Sequence, residues 1–324
     1  MSEQKPKSKK KGCLGCSFPV IIILVALLVV GFLAGNLGQK LFAAFGVNIH
    51  MPALLTVSAP EVELPAEAIF HIGVFPVTNT LITSWLTILI LAIILITLSR
   101  RARIIPGKFQ AMVEFVLEWI YNLCRDVAGE KNGPRFFPII LTIFLFVLVN
   151  AWMGLFPGFG SITINTEHGV VPLLRGANTD INTPFAIAII SFIFVEYVGF
   201  ASGGLRYAQK FVNVGRLVRG FRDLFKGKIG PGFAGIVYGI IDAFVGILET
   251  LSEIFRLASF TFRLFGNMTG GEILVLMMMF LMTYLLVLPF YGLELLVGAV
   301  QALIFSGLTL VFATTAGTKH EEHI

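Results

Sequence analysis

The sequence predicts an all-α integral membrane protein with about six membrane-embedded helices. Three observations carry this. Of 324 residues, 56% are apolar and only 13% charged, against about 25% charged in soluble domains. Mean hydropathy is +0.87. Six apolar tracts, roughly 18–35, 80–99, 136–156, 183–203, 234–283 and 287–316, approach or exceed the about 20 residues that a spanning helix needs.

The tract 18–35 follows a basic leader, 1–17, and reads as an uncleaved transmembrane anchor. Leu33-Ala34-Gly35 at its end keeps a signal peptide as the alternative. Cys13 and Cys16 form a CxxC with no second ligand pair, so they read as plain thiols, with lipidation or a metal as the lesser readings. The segment 36–78 is extracytoplasmic and carries Pro52, Pro60, Pro65 and Pro76, which suits an extended ordered loop or a short hairpin. The membrane domain spans 79–316, and 317–324 is a short tail.

Within that domain, 108–126 reads as an interfacial helix. Phe109, Met112, Val113, Val116, Leu117 and Ile120 share one side, with Lys108, Glu114, Glu118 and Arg125 elsewhere. A loop helix packed on the bundle fits equally well. The tract 234–283 is too long to stand upright: fifty helical residues measure about 75 Å against a hydrocarbon core of about 30 Å. It must be tilted, partly interfacial, or broken, with Gly270-Gly271 the best candidate break and Gly235 and Gly239 weaker ones.

Orientation follows from Lys and Arg. Segments 1–17, 100–135, 204–228 and the tail hold five, seven, seven and one of the 24, while 36–79 and 157–182 hold only Lys40 and Arg175. Both termini are therefore expected in the cytoplasm. The net charge of +5 sits at tract ends, as orientation signals do, and gives no indication of nucleic-acid binding. No GxxxxGK[ST] loop occurs, so a nucleotide site in this chain is not expected.

The last two tracts are unusually polar. The fifth contains Asp242, Glu249, Ser252, Glu253, Arg256, Arg263, Asn267 and Glu272, and the sixth Glu294 and Gln301. Arg263 stands out, because a guanidinium stays charged at any cellular pH and costs roughly 2.5–3.5 kcal/mol at mid-membrane on insertion scales. Glu249, Arg256 and Arg263 are spaced by sevens and share a helix face, with Asn267 one turn further. Glu294 and Gln301 share a face of the last helix. Glu272, nine residues beyond Arg263, points nearly opposite. Structural roles remain open for several of these. Glu253 and Arg256 make a plausible i,i+3 pair. Glu294 could be a counter-ion for Arg263, Asn267 and Gln301 could be interhelical glue, and Asp242 could be solvated near an interface. A file of carboxyls and amides interrupted by one fixed cation reads as two proton routes with a barrier between them. The cation repels a crossing ion and favours the ionised form of a carboxyl brought beside it. This chain supplies no moving carboxyl, so a partner subunit is implied.

These residues resemble the subunit a family of rotary F-type ATP synthases. The strongest match is Phe262-Arg263-Leu264-Phe265-Gly266-Asn267-Met268-Thr269-Gly270-Gly271-Glu272. Others are Glu294 to Thr309 with Gln301-Ala302, Asn178-Thr179-Asp180-Ile181-Asn182-Thr183, Pro106 to Gln110 followed by Glu114, and Asn150 to Pro157. Together they cover about 79–316. The resemblance implies a tilted terminal hairpin against a ring of c subunits, with Arg263 the essential charge facing the ring's carboxylate. It implies an outer half-channel of Asn267, Glu272, Glu294 and Gln301, with Asp180 near its entrance. Other members carry histidine where this chain has Glu294. It implies an inner half-channel at Glu249 and Ser252, with Arg256 and Glu253 in support. The implied partners are the c-ring, peripheral-stalk b subunits, the rest of the complex, membrane lipid and the transported H⁺ or Na⁺. No cofactor, metal or catalytic residue is implied. Residues 1–78 and the long cytoplasmic insertion 204–233 depart from the family pattern. The rival expectation is a self-contained proton-coupled secondary transporter, which would show an internal repeat and matching broken helices; neither is visible. A mere membrane scaffold leaves the buried charges unexplained.

Overall fold

All six apolar tracts are helical in the computed structural model, which describes residues 14–47, 65–156, 158–166, 169–204, 207, 208, 211, 215–225 and 229–318. Cys13, most of the leader, part of 36–78 and of 204–228, and the tail from Lys319 lie outside the described residues. The helices are α1 (Leu14–Ala34), α2 (Asn36–Ala44), α3 (Asn79–Arg100), α4 (Lys108–Gly154), α5 (Asn182–Gly203), α6 (Gly215–Phe225), α7 (Ile229–Leu281) and α8 (Leu288–Thr318). Two antiparallel hairpins, β1 (Ala68–Ile72) with β2 (Phe75–Thr78) and β3 (Thr163–Thr166) with β4 (Gly169–Pro172), are the only strands among the described residues. The hairpin reading of the 36–78 segment therefore holds for its last eleven residues. Five helices among the described residues are long and apolar enough to cross a membrane, and α1 with α2, bent by 72°, would make a sixth as one broken span.

Local chemistry accounts for the element ends. The Thr78 hydroxyl accepts from the Leu81 amide and caps α3. Gly73, at φ +64°, turns the first hairpin. α4 is two helices joined at Gly129 (φ 78°, ψ 171°), a conformation that a β-carbon would strain. Pro134 and Pro138 follow in its second half.

Several expectations change. The first helix starts at Leu14, so Cys16 belongs to it and not to the leader. α8 runs to Thr318, two residues past the expected boundary. Gly270-Gly271, Gly235 and Gly239 do not break α7, which is continuous over 53 residues and about 80 Å long. Glycine permits a break but does not impose one. The break inside α4, at Gly129, sits where the sequence is polar. The 108–126 helix continues to that break, and its apolar residues divide. Ile120 and Cys124 are fully buried, while Phe109 and Met112 are exposed with Phe115.

The chain forms two compact units. One joins α1 and α2 to residues 271–294. Glycines let its backbones meet: a β-carbon on Gly31 would lie 2.5 Å from the Thr283 carbonyl oxygen, and one on Gly35 2.9 Å from the Leu281 carbonyl carbon. Thr283 completes the contact, its hydroxyl donating to the Gly31 carbonyl at 2.9 Å. Gly35→Leu is expected to cost about 1–3 kcal/mol by overpacking and to make the α1–α2 segment protease-sensitive in the detergent-purified protein. The second unit holds the rest. Its core includes Ile140, Val147, Ala188, Leu264, Phe305, Leu310 and Ala313. Phe136 meets Phe194 edge-on at 5.5 Å, and a buried Ser191–Thr309 hydrogen bond of 2.7 Å ties α5 to α8.

Candidate functional site

The middle of α7 is helical without interruption because no proline occurs between Gly232 and Leu281. Its inward face carries Glu253, Phe260, Thr261, Leu264 and Met268, all buried, while Ile254, Phe255 and Phe262 on the other side are exposed. Glu249, Arg256 and Arg263 fall on the boundary between these faces, each half-buried, as their seven-residue spacing requires. The most apolar window of α7 is only 11% buried, the lowest of the five spans.

The two arginines have different environments. Arg256 donates to Glu253 at 2.7 Å and lies 4.0 Å from the centroid of the Phe312 ring, so its charge is met twice. The pair is the intrahelical i,i+3 arrangement open in the sequence. Arg263 is different. Among the described residues no carboxylate pairs with it and it donates no hydrogen bond; its recorded contact is the Phe260 ring, 6.0 Å away. A charge costly to embed is thus held half-buried with no counter-ion of its own chain among those residues.

One turn beyond Arg263, the Asn267 amide donates to Gln301 Oε1 at 2.9 Å and links α7 to α8. Gln301 is 2% exposed, and its Nε2 finds no protein partner among the described residues, a buried donor that calls for water. Ser252 is exposed. In the other unit Glu294 is buried while Glu272 is half-buried, and Gly271 lies directly under the Glu294 carboxylate, where a β-carbon would collide with it. Asp242 is not simply solvated: it accepts from Arg216 at 3.4 Å. Asp180 accepts from the Thr80 hydroxyl at 3.0 Å and from the Asn182 backbone amide at 3.1 Å; among the described residues no hydrogen bond joins it to the Asn267–Gln301 pair.

Around Asp180 the structure shows polar residues given no role from sequence. Asn79, Thr80, Thr83, Ser84 and Thr87 form a buried stripe along α3. Asn150 and Asn178 are buried nearby, the Asn150 side-chain Oδ1 accepting from the Ala177 backbone amide at 3.3 Å. Asn150 Nδ2 and both amide atoms of Asn178 have no protein partner among the described residues, so this pocket too calls for water. The spacing 79, 80, 83, 84, 87 is a helical stripe that a period count would have exposed. Among the described residues no group of three or more His, Cys, Asp or Glu side chains gathers as a metal site.

The profile of the family described as ATP synthase A chain matches residues 81–314. The chain belongs to the ATP synthase A chain family. Curated relatives agree. The chain is 30% identical over 240 residues to ATP synthase subunit a of Geotalea daltonii, covering 74% of this chain and 87% of that one. It is 29% identical over 245 residues to the protein of the same name from Gloeobacter violaceus, covering 76% and 86%. It is 30% identical over 239 residues to that of a Sulfurihydrogenibium species, covering 74% and 96%. The ATP synthase A chain match runs from the start of α3 to near the end of α8 and leaves α1, α2 and the first hairpin outside. With its membrane-length helices, the chain is a multi-pass membrane subunit of this family.

Proposed function

We propose that this chain is the ion-conducting stator of an ATP synthase membrane sector. Its supporting observation is the half-buried Arg263, with no counter-ion among the described residues, on the least covered of their five membrane-length spans. The partner that meets this face is a ring of c subunits carrying a carboxylate. Peripheral-stalk b subunits hold the chain against the turning ring. Ions reach the ring through an outer half-channel formed by Asn267, Gln301, Glu272 and Glu294, entered near Asp180. They leave by an inner half-channel at Glu249 and Ser252. The Glu253–Arg256 pair fixes the helix between the two routes.

The physics follows from one contrast. A carboxyl binds and releases a proton, and a guanidinium does not. As the rotor carboxyl nears Arg263 its ionised form is favoured and the proton leaves. Arg263 also blocks direct passage, since a proton or Na⁺ is repelled by a fixed charge in a low-dielectric region. Ion flow then requires rotation, and rotation drives synthesis in a separate catalytic head. The membrane domain is assigned to 79–316, with both termini in the cytoplasm by the distribution of Lys and Arg.

The test is purification and reconstitution. Mild-detergent purification is expected to bring down a ring of small hairpin proteins with this chain. Vesicles holding the chain alone are expected to show no ion flux, and flux should appear when the ring is added. Solute movement by the chain alone would replace this reading with a self-contained transporter.

A further inference from the structure

The insertion that precedes α7 has no part in the ion path just proposed, yet it folds as a strongly two-faced helix. On α6, Arg216, Arg219, Arg222 and Asp223 occupy one arc, while Val218, Phe221, Leu224 and Phe225 occupy the opposite arc and are exposed. The helix is locked onto the start of α7. A β-carbon on Gly220 would come within 2.5 Å of the Gly235 carbonyl carbon, and Arg216 pairs with Asp242 at 3.4 Å. This docking leaves the apolar arc uncovered, beside Phe233, Val237 and Ile240 of α7, which are exposed as well. Arg222 is exposed at the edge of that arc, and Arg219 is exposed on the opposite, polar side. The surrounding sequence 204–228 holds seven basic residues against one acidic, Asp223.

We propose that α6 is an in-plane membrane anchor selective for anionic phospholipid. Its apolar arc lies in the boundary between acyl chains and headgroups, Arg222 at the edge of that arc pairs with headgroup phosphates, and Arg219 on the polar side adds to the attraction of the negative surface. Charge complementarity selects this occupant: a basic amphipathic helix continuous with a lipid-exposed span fits a negatively charged leaflet, whereas an apolar protein partner would leave the two arginines unmatched.

The whole complex, placed in bilayers with photoactivatable phosphatidylglycerol or phosphatidylcholine, reads this directly by mass-spectrometric mapping. The peptide Gly215–Phe225 is expected to label preferentially with phosphatidylglycerol. The Arg219→Gln/Arg222→Gln variant is expected to lose that preference by on the order of tenfold while still assembling and synthesising ATP. Phe221→Glu is expected to lose labelling by both lipids. Equal labelling by the two lipids in the parent, or a preference unchanged by the double substitution, would overturn the proposal. So would a photoreactive residue at Val218 that crosslinks to another subunit in place of lipid. None of these readouts depends on ion flow, so they stand or fall separately from the stator reading.

Discussion

Arg263→Ala is expected to leave the complex assembled and to abolish ATP synthesis driven by an ion gradient. Most deleterious core substitutions act by unfolding; this one is expected to act against that trend. Embedding an arginine costs roughly 2.5–3.5 kcal/mol on insertion scales, and Arg263 recovers none of it through an ion pair with the described residues of its own chain. Alanine at this position should insert as well or better. Subunit abundance and ring co-purification should be unchanged or raised, while gradient-driven synthesis falls to background. Passive ion leak through the assembled complex should rise as the electrostatic barrier is lost. Arg263→Lys keeps the charge but not the flat guanidinium, and is expected to recover the barrier better than the synthesis. Normal coupled synthesis in the alanine variant would remove the mechanism proposed here.

Glu253→Ala is expected to fail in the opposite way, through assembly. Glu253 is 3% exposed and is the carboxylate partner of Arg256 at 2.7 Å. Removing Glu253 strands a guanidinium that is 25% exposed, so the cost falls toward or below the lower end of the about 3–5 kcal/mol of a fully buried pair. The variant should show reduced membrane abundance and a lowered thermal midpoint in detergent. Replacing both members, Glu253→Leu with Arg256→Leu, should recover much of the loss, since an apolar pair needs no compensation. A double variant as unstable as the single one would mean that the carboxylate acts through other contacts. In the proposed mechanism the two arginines, seven residues apart on one helix, separate a charge that supports the fold from one held for a partner.

The helices were legible because membrane spans are written in plain hydropathy: each of the six tracts contains or overlaps an observed helix to within a few residues, apart from extensions at polar ends such as Leu14 and Lys108. Heptad spacing placed Glu249, Arg256 and Arg263 on one face, and the structure puts all three on the boundary of the buried side. The Asn267–Gln301 link was anticipated as one of two readings, and the hydrogen bond at 2.9 Å supplies it. What sequence did not resolve depends on tertiary neighbours. Whether a glycine pair bends a helix is decided by what packs around it, so Gly270-Gly271 misled while Gly129 passed unnoticed. Asn150 and Asn178 stood in plain view within motifs, but their unmet amide atoms become evident only when α3, α4 and α5 enclose them.

The unbroken course of α7 has a mechanical consequence. A helix of 53 residues with no break in its helical course resists bending, so a sideways push near its centre is carried along it and not absorbed at an internal kink. The compliant joints must then lie outside it. One such place is the turn at Met282 to Val287, where Tyr284 adopts a left-handed backbone at φ 60°. If a rotor bears on Arg263, part of the recoil of every step is delivered to that turn.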